Sequence, residues 1–252
     1  MNARVLQKKE EGNGDAKSSV VDIPVGKAFA QTPFAAVLGC ADARVPPEIV
    51  FGKSSNELFV VRVAGNVLGQ ECLGSLRYAV RHFSETLKLV VVLAHANCGA
   101  VSEAVNAYLD PRRYIDLATD YSVRRIEEQI LVAVRVAALS LESLYGSNVT
   151  RQPGCRAALH EAAVVLNACW SAYCLEQEFR ETSLHPKVVF GTYDLISCRV
   201  RLPLSSRGQI SAEESGLFPP PYDAKGFRHL SLKICQGRLI QSLLKPAHKR
   251  SA

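Results

Sequence analysis

Short, continuous apolar runs alternate along this chain with longer segments whose apolar residues recur at helical spacing. Phe34-Ala35-Ala36-Val37-Leu38-Gly39 predicts a buried strand ending at Cys40. Pro46 and Pro47 suit the first turn of a short helix running through Phe51. Leu58 to Val63 predicts a second buried strand, rich in β-branched residues. Cys72 to Phe83 carries Leu73, Leu76, Ala79, Val80 and Phe83 at helical spacing, and Leu87 to Ala94 predicts a third strand ending at His95. Downstream, residues 122–145 and 158–181 predict two long helices. Lys187 to Tyr193 predicts a fourth strand and Ser197 to Leu202 a short fifth.

Strands that are apolar throughout and separated by helices belong to a parallel sheet covered on both faces. The expected fold class is therefore α/β, with a mainly parallel central β-sheet flanked by helices. In open sheets of this kind ligands bind beyond the carboxyl ends of the strands. Cys40 and His95 both stand just past such ends.

The two ends of the chain read differently from its middle. Residues 1–20 are polar and charged and predict a mobile N-terminal arm, leaving 21–202 as the α/β domain. From Pro203 to Gly226 the composition turns to Ser, Gly and Pro, including Pro219-Pro220-Pro221, which reads as a linker. Beyond it, Phe227 to Ile234 and Arg238 to Leu244 flank Gln236-Gly237 and predict a hairpin. Residues 203–252 are thus expected to be a linker and C-terminal extension.

Composition narrows the class without naming a function. The 252 residues are 48% hydrophobic and 21% charged, enough apolar material for a core without disulfides. The net charge of +6 is scattered over pairs such as Arg112-Arg113 and Arg124-Arg125, with no basic-aromatic face, so no nucleic-acid partner is expected. No run approaches the ~18 apolar residues of a membrane span, and residues 1–20 contain no apolar segment of a secretory signal. Eight irregularly spaced cysteines then suggest metal ligands or free thiols in the cytoplasm.

The chemistry gathers in Cys40-Ala41-Asp42-Ala43-Arg44 and His95-Ala96-Asn97-Cys98-Gly99. Two thiolates and an imidazole suit Zn²⁺, and three protein ligands leave a fourth position open, as in catalytic sites. Singly, each residue also fits a buried thiol or a hydrogen-bonded strand-end histidine. The combination with Asp42 and Arg44 points to a metal. His82 and His160 fall on predicted helices and read as structural.

These two motifs, with Phe59-Val60-Val61-Arg62, Ala64-Gly65-Asn66 and Gly74 to Val80, resemble those of the β-class carbonic anhydrases across about residues 31 to 195. The resemblance implies a β-carbonic anhydrase-like fold and reversible hydration of carbon dioxide to bicarbonate by hydroxide generated at zinc. It implies Cys40, His95 and Cys98 as zinc ligands and Asp42 with Arg44 as the catalytic dyad. Gln31, Phe59, Tyr78 and Gly99 would line the substrate pocket, part of it supplied by the partner in a homodimer or higher homo-oligomer. It also allows a state in which Asp42 itself binds the zinc. Some members close the site through a bicarbonate beside a tryptophan three residues before the first ligand. Val37 stands there, so no such switch is expected although Arg62 is present.

The chain departs from the pattern at Ala43, commonly a serine, and at Ala94, often a glycine. Neither change removes a chemical participant. Three other readings use the same residues: a carbonyl sulfide or carbon disulfide hydrolase, a non-catalytic zinc protein with an interaction tail, and a hydrolase with Cys40 as nucleophile. The second thiol, Cys98, is surplus to the last of these.

Overall fold

The structure is a computed structural model, and it describes residues 30–182, 184–204 and 215–244. The expected N-terminal arm, residues 1–20, lies outside the described residues. Among the described residues five strands form one sheet: β1 (Ala35–Cys40), β2 (Leu58–Val63), β3 (Leu89–His95), β4 (Lys187–Asp194) and β5 (Arg199–Arg201). Their spatial order is β2-β1-β3-β4-β5, with all neighbours parallel except the antiparallel β4–β5 pair. The turn before β5 is held by Asp194, whose Oδ1 accepts from the Ile196 and Ser197 amides and whose Oδ2 pairs with Arg201 at 2.7 Å.

β1 lies inside the sheet and every one of its residues is buried, which is why its sequence is apolar without alternation. The alternation is still present in what each residue touches. Ala36 and Leu38 pack into the larger core, and Val37 packs with Val45, Val91, Leu93 and Val189 on the opposite face.

Among the described residues eight helices accompany the sheet: α1 (Pro47–Phe51), α2 (Gln70–His82), α3 (Gly99–Leu109), α4 (Pro111–Thr119), α5 (Tyr121–Tyr145), α6 (Cys155–Arg180), α7 (Ala224–Cys235) and α8 (Arg238–Leu244). α6 is buried nearly all round, and its run of Ala158, Ala162, Ala163, Ala168 and Ala172 lets neighbours approach closely. α3 and α4 were not assigned from the sequence, yet their signals are ordinary. Val101, Ala104 and Val105 repeat at helical spacing, and Asp110 caps α4 by accepting from the Arg112 amide, with Pro111 at its first position.

The hairpin expected over Phe227–Ile234 and Arg238–Leu244 is not formed; these residues are α7 and α8. Burial falls on Phe227, Ser231, Ile234 and Cys235, a helical spacing rather than an alternation, and Asp223 caps α7 by accepting from the Gly226 amide. Gly237 serves close approach instead of a turn between strands: a Cβ there would lie 2.7 Å from the Leu204 carbonyl oxygen. Both helices join the main core, with Phe227, Ile234, Cys235, Ile240 and Leu244 among its buried residues. Part of the expected linker also pairs with the sheet, since Phe190 and Phe218 exchange backbone hydrogen bonds of 2.8 Å. α8 presses on the start of α6, where a Cβ at Gly154 would stand 1.7 Å from the Leu243 carbonyl oxygen.

Because Ile234 is fully buried in the shared core, Ile234→Ala should lower the unfolding free energy by about 2–5 kcal/mol in urea titrations. Exposed Ile49→Ala should change it by less than about 0.5 kcal/mol. Equal, small effects at both positions would show that α7 does not share the core.

Candidate metal centre

Parallel pairing decides where the chemistry meets. β1 and β3 are direct neighbours in register from Ala35–Leu89 to Gly39–Leu93, so Cys40 and His95 leave the same edge of the sheet. After His95 the chain turns back through Asn97, whose φ of 56° lies in the left-handed region that asparagine tolerates better than most residues. Cys98 follows as the residue preceding α3.

The ligand atoms of Cys40, His95 and Cys98 lie within 4.8 Å of one another, and all three residues are buried. The two sulfurs are 4.0 Å apart. Tetrahedral Zn–S bonds of about 2.3 Å would separate two sulfurs by about 3.8 Å, so the spacing fits zinc. The histidine fits as well. Its Nδ1 donates to the Ala96 carbonyl at 3.0 Å, which leaves Nε2 as the atom with the free lone pair. Nε2 is buried and has no hydrogen-bond partner among the described residues. An unsatisfied buried polar atom costs about 1–3 kcal/mol, and a metal in this position removes that cost.

Backbone amides prepare the sulfurs. The N–H groups of Asp42 and Gly65 face Cys40, and those of Ala100 and Val101, in the first turn of α3, face Cys98. The Cys98 thiol also bonds the Cys40 sulfur, which holds Cys40 well below the ordinary thiol range despite its burial. Cys98 is pushed up for the same reason, by the neighbouring sulfur and by burial. For His95, burial pulls the pKa down, but the adjoining Cys40 sulfur and its charge prevail and the net direction is up.

Asp42 stands over this group. Arg44 binds it with Nε at 2.9 Å and Nη2 at 2.6 Å, and the Arg44 amide donates to the same carboxylate at 2.9 Å. These hydrogen bonds from Arg44 are the main reason the Asp42 carboxyl lies well below the usual carboxylate range. Asp42 Oδ2 is 3.8 Å from His95 Nε2. Arg62, at the end of β2, fixes the loop by donating to the carbonyls of Cys40 at 3.0 Å and Asp42 at 2.5 Å. Its clamping role was not read from the sequence, although a lone arginine in the apolar strand LFVVRV was a visible signal.

The remaining pocket residues are divided. Gly99 begins α3 and lines a cavity of about 870 Å³ with Asn97, Ser102, Arg156 and His160. His160 Nε2 hydrogen-bonds the Cys98 carbonyl at 3.1 Å, so this histidine does support the ligand loop. Gln31 is exposed and precedes β1, at the far end of the strand from Cys40. Phe59 pairs with Ala36, also toward that far end, and its ring lies 6.4 Å from that of half-exposed Tyr78. Tyr78 in turn stacks on His82 at 3.9 Å. Within one chain, Gln31, Phe59 and Tyr78 are therefore not brought to the cysteine-histidine group.

Residues 35–168, more than half of the chain, match the family model described as carbonic anhydrase. Carbonic anhydrase 2 of Mycobacterium tuberculosis (strain CDC 1551 / Oshkosh) is 43% identical over 99 residues, 39% of this chain and 47% of that protein. The carbonic anhydrase of Emericella nidulans is 32% identical over 144 residues, covering 54% of this chain and 60% of its own. The chain thus spans about half the length of the curated relatives it matches. Among solved structures, the β-carbonic anhydrase CcaA aligns with a TM-score of 0.50 at 18% identity, over 68% of this chain and 74% of that one, a likeness of fold.

The Asp42–Arg44 pair is testable apart from any activity. Arg44→Gln should move the Asp42 pKa upward, toward the ordinary carboxylate value, because the hydrogen bonds that favour the ionised form are lost. Carboxyl ¹³C NMR titration of the two proteins reads the shift directly. An unmoved Asp42 would show that Arg44 is not what holds it ionised.

Proposed function

Because the chain belongs to the carbonic anhydrase family, in its β class, we propose that it catalyses the reversible hydration of carbon dioxide to bicarbonate and a proton. The observation that carries this reading is a buried Cys40, His95 and Cys98 donor set with an ionised, arginine-fixed Asp42 beside its one unpartnered nitrogen. Zn²⁺ held by these three residues would supply Lewis acidity, bringing the deprotonation of a water molecule toward neutral pH.

The chain's own residues do the rest. Asp42, kept ionised by Arg44, accepts a hydrogen bond from the attacking water and turns an oxygen lone pair toward the carbon of CO₂. Arg44 holds the carboxylate in one orientation, so no reorganisation is needed when attack occurs. Its engagement with Asp42 favours a site in which the carboxylate is kept off the metal. Arg62 keeps the two carbonyls of the Cys40–Asp42 turn in place. The released proton passes to buffer through water on the exposed Arg44 side.

The position of Gln31, Phe59 and Tyr78 supports a homodimer. Phe59 lies in β2, which among the described residues has a hydrogen-bonded neighbour on one side only, while Gln31 precedes that neighbour, β1, and Tyr78 lies on α2; we place all three in the substrate pocket of a second copy. All eight cysteines are free thiols, which suits the reducing cytoplasm. No described helix is long and apolar enough to cross a membrane.

Stopped-flow CO₂ hydration with protein of known zinc content tests the activity. Asp42→Asn should lower kcat by roughly 10²-fold or more. Asp42 is already ionised throughout the working range, since its pKa is depressed, so its own titration does not shape the profile and this variant should reduce the rate at every pH. Zinc-loaded wild type no faster than buffer would overturn the proposal.

Complementation tests the shared pocket. Gln31→Ala and Cys98→Ser chains should each be impaired alone, and hybrids of the two should regain activity. In a hybrid, one site combines intact metal ligands from the first chain with Gln31 from the second. Hybrids no more active than the mean of the parents would sink the subunit-spanning pocket.

A further inference from the structure

The turn Ala64–Asn66 sits directly behind Cys40 and is built in an unusual way. Gly65 (φ 65°) and Asn66 (φ 44°) are both left-handed. A Cβ on Gly65 would lie 2.7 Å from Ile130 Cδ1 and 3.2 Å from Ala100 Cβ, so the backbone is wedged between α5 and α3. Its amide faces the Cys40 sulfur.

Two residues one helical turn apart on α6 reach this turn from below. Asn167 Nδ2 donates to the Gly65 carbonyl at 2.6 Å, and Ser171 Oγ donates to the Asn66 carbonyl at 3.2 Å. Asn167 is 1% exposed and Ser171 3%. An amide buried this deeply in an otherwise apolar helix is costly unless it is hydrogen-bonded, and Asn167 spends its donor on one glycine carbonyl. That carbonyl belongs to the residue whose N–H faces the sulfur. Holding the Gly65 carbonyl restrains a glycine that would otherwise move readily through its wide φ/ψ range, and so limits where its N–H can point.

We propose that Asn167 is a positioning residue for the metal centre: through the Gly65 carbonyl it aims the Gly65 N–H at the Cys40 sulfur and so tempers how strongly that sulfur donates to the metal. The inference rests on the metal reading above and adds to it a residue that touches neither metal nor substrate. An N–H···S bond withdraws electron density from a thiolate. The metal it binds is left a better Lewis acid, which offsets in part the charge that two thiolates bring.

Cobalt(II) loading provides the readout. Wild type loaded with Co²⁺ should show a thiolate-to-cobalt charge-transfer band. In Asn167→Leu, close in size but without the donor, the band should move to lower energy as the sulfur loses its hydrogen bond. CO₂ hydration should fall roughly 10- to 100-fold. Ser171→Ala, which removes the neighbouring clamp from the same helix, should leave the band in place; an equal shift there would mean general loosening and would overturn a specific role for Asn167. So would an unchanged band in folded Asn167→Leu.

If Asn167→Leu does not fold, ¹¹³Cd-loaded wild type still decides the matter. Scalar coupling between ¹¹³Cd and the Gly65 amide supports the N–H···S bond, and its absence refutes the proposal. Wild type that takes up neither Co²⁺ nor Cd²⁺ would instead overturn the metal reading itself, and this inference with it.

Discussion

Everything at the metal centre depends on the parallel pairing of β1 with β3. Two parallel neighbours end at the same edge of a sheet, so residues 55 positions apart in the chain become adjacent without any long-range loop having to carry them. The pairing is itself secured by burial: the residues of β1 are buried along its whole length, with apolar neighbours on both faces. A slip of one residue would turn every side chain to the opposite face and take Cys40 away from Cys98. The rigidity of the core is therefore what gives the two ligand loops their mutual position.

The loops add precision that the sheet alone lacks. Arg62 holds two carbonyls of the Cys40–Asp42 turn, His160 holds the Cys98 carbonyl, and Ala96 orients the imidazole. Each of these contacts joins a different element to the same small region. Charge is handled with equal economy, since the exposed guanidinium of Arg44 answers the Asp42 carboxylate and leaves the buried sulfurs to the backbone amides.

The legible and illegible parts of the sequence divide on physical grounds. Strands such as Ala35–Cys40 could be read because a doubly covered strand must be apolar at every position, a local property. The candidate ligand set was legible only in combination: singly, each residue also fits a buried thiol or a hydrogen-bonded histidine, and it is their grouping that the structure brings together. α7 was misread because Gln236-Gly237 between two apolar stretches looks like a hairpin turn, while its helical burial depends on α5 and α6, which are distant in sequence. Asn167 and Ser171 could not be recognised either. A polar residue on a buried helix face announces a hydrogen bond but not its partner, and the partner here is more than a hundred residues away.

The contact of α8 with Gly154 ties together regions that the chain keeps far apart. A side chain at 154 would collide with the backbone of α8, not with a movable rotamer. The same α6 that begins beneath α8 presents His160, one and a half turns further on, to the ligand loop. Descendants of this sequence can therefore alter the C-terminal helix only in step with position 154, and the two are expected to covary as a unit. A lineage that sheds α8 regains freedom at 154, while one that retains it inherits a fixed glycine at the threshold of its metal centre.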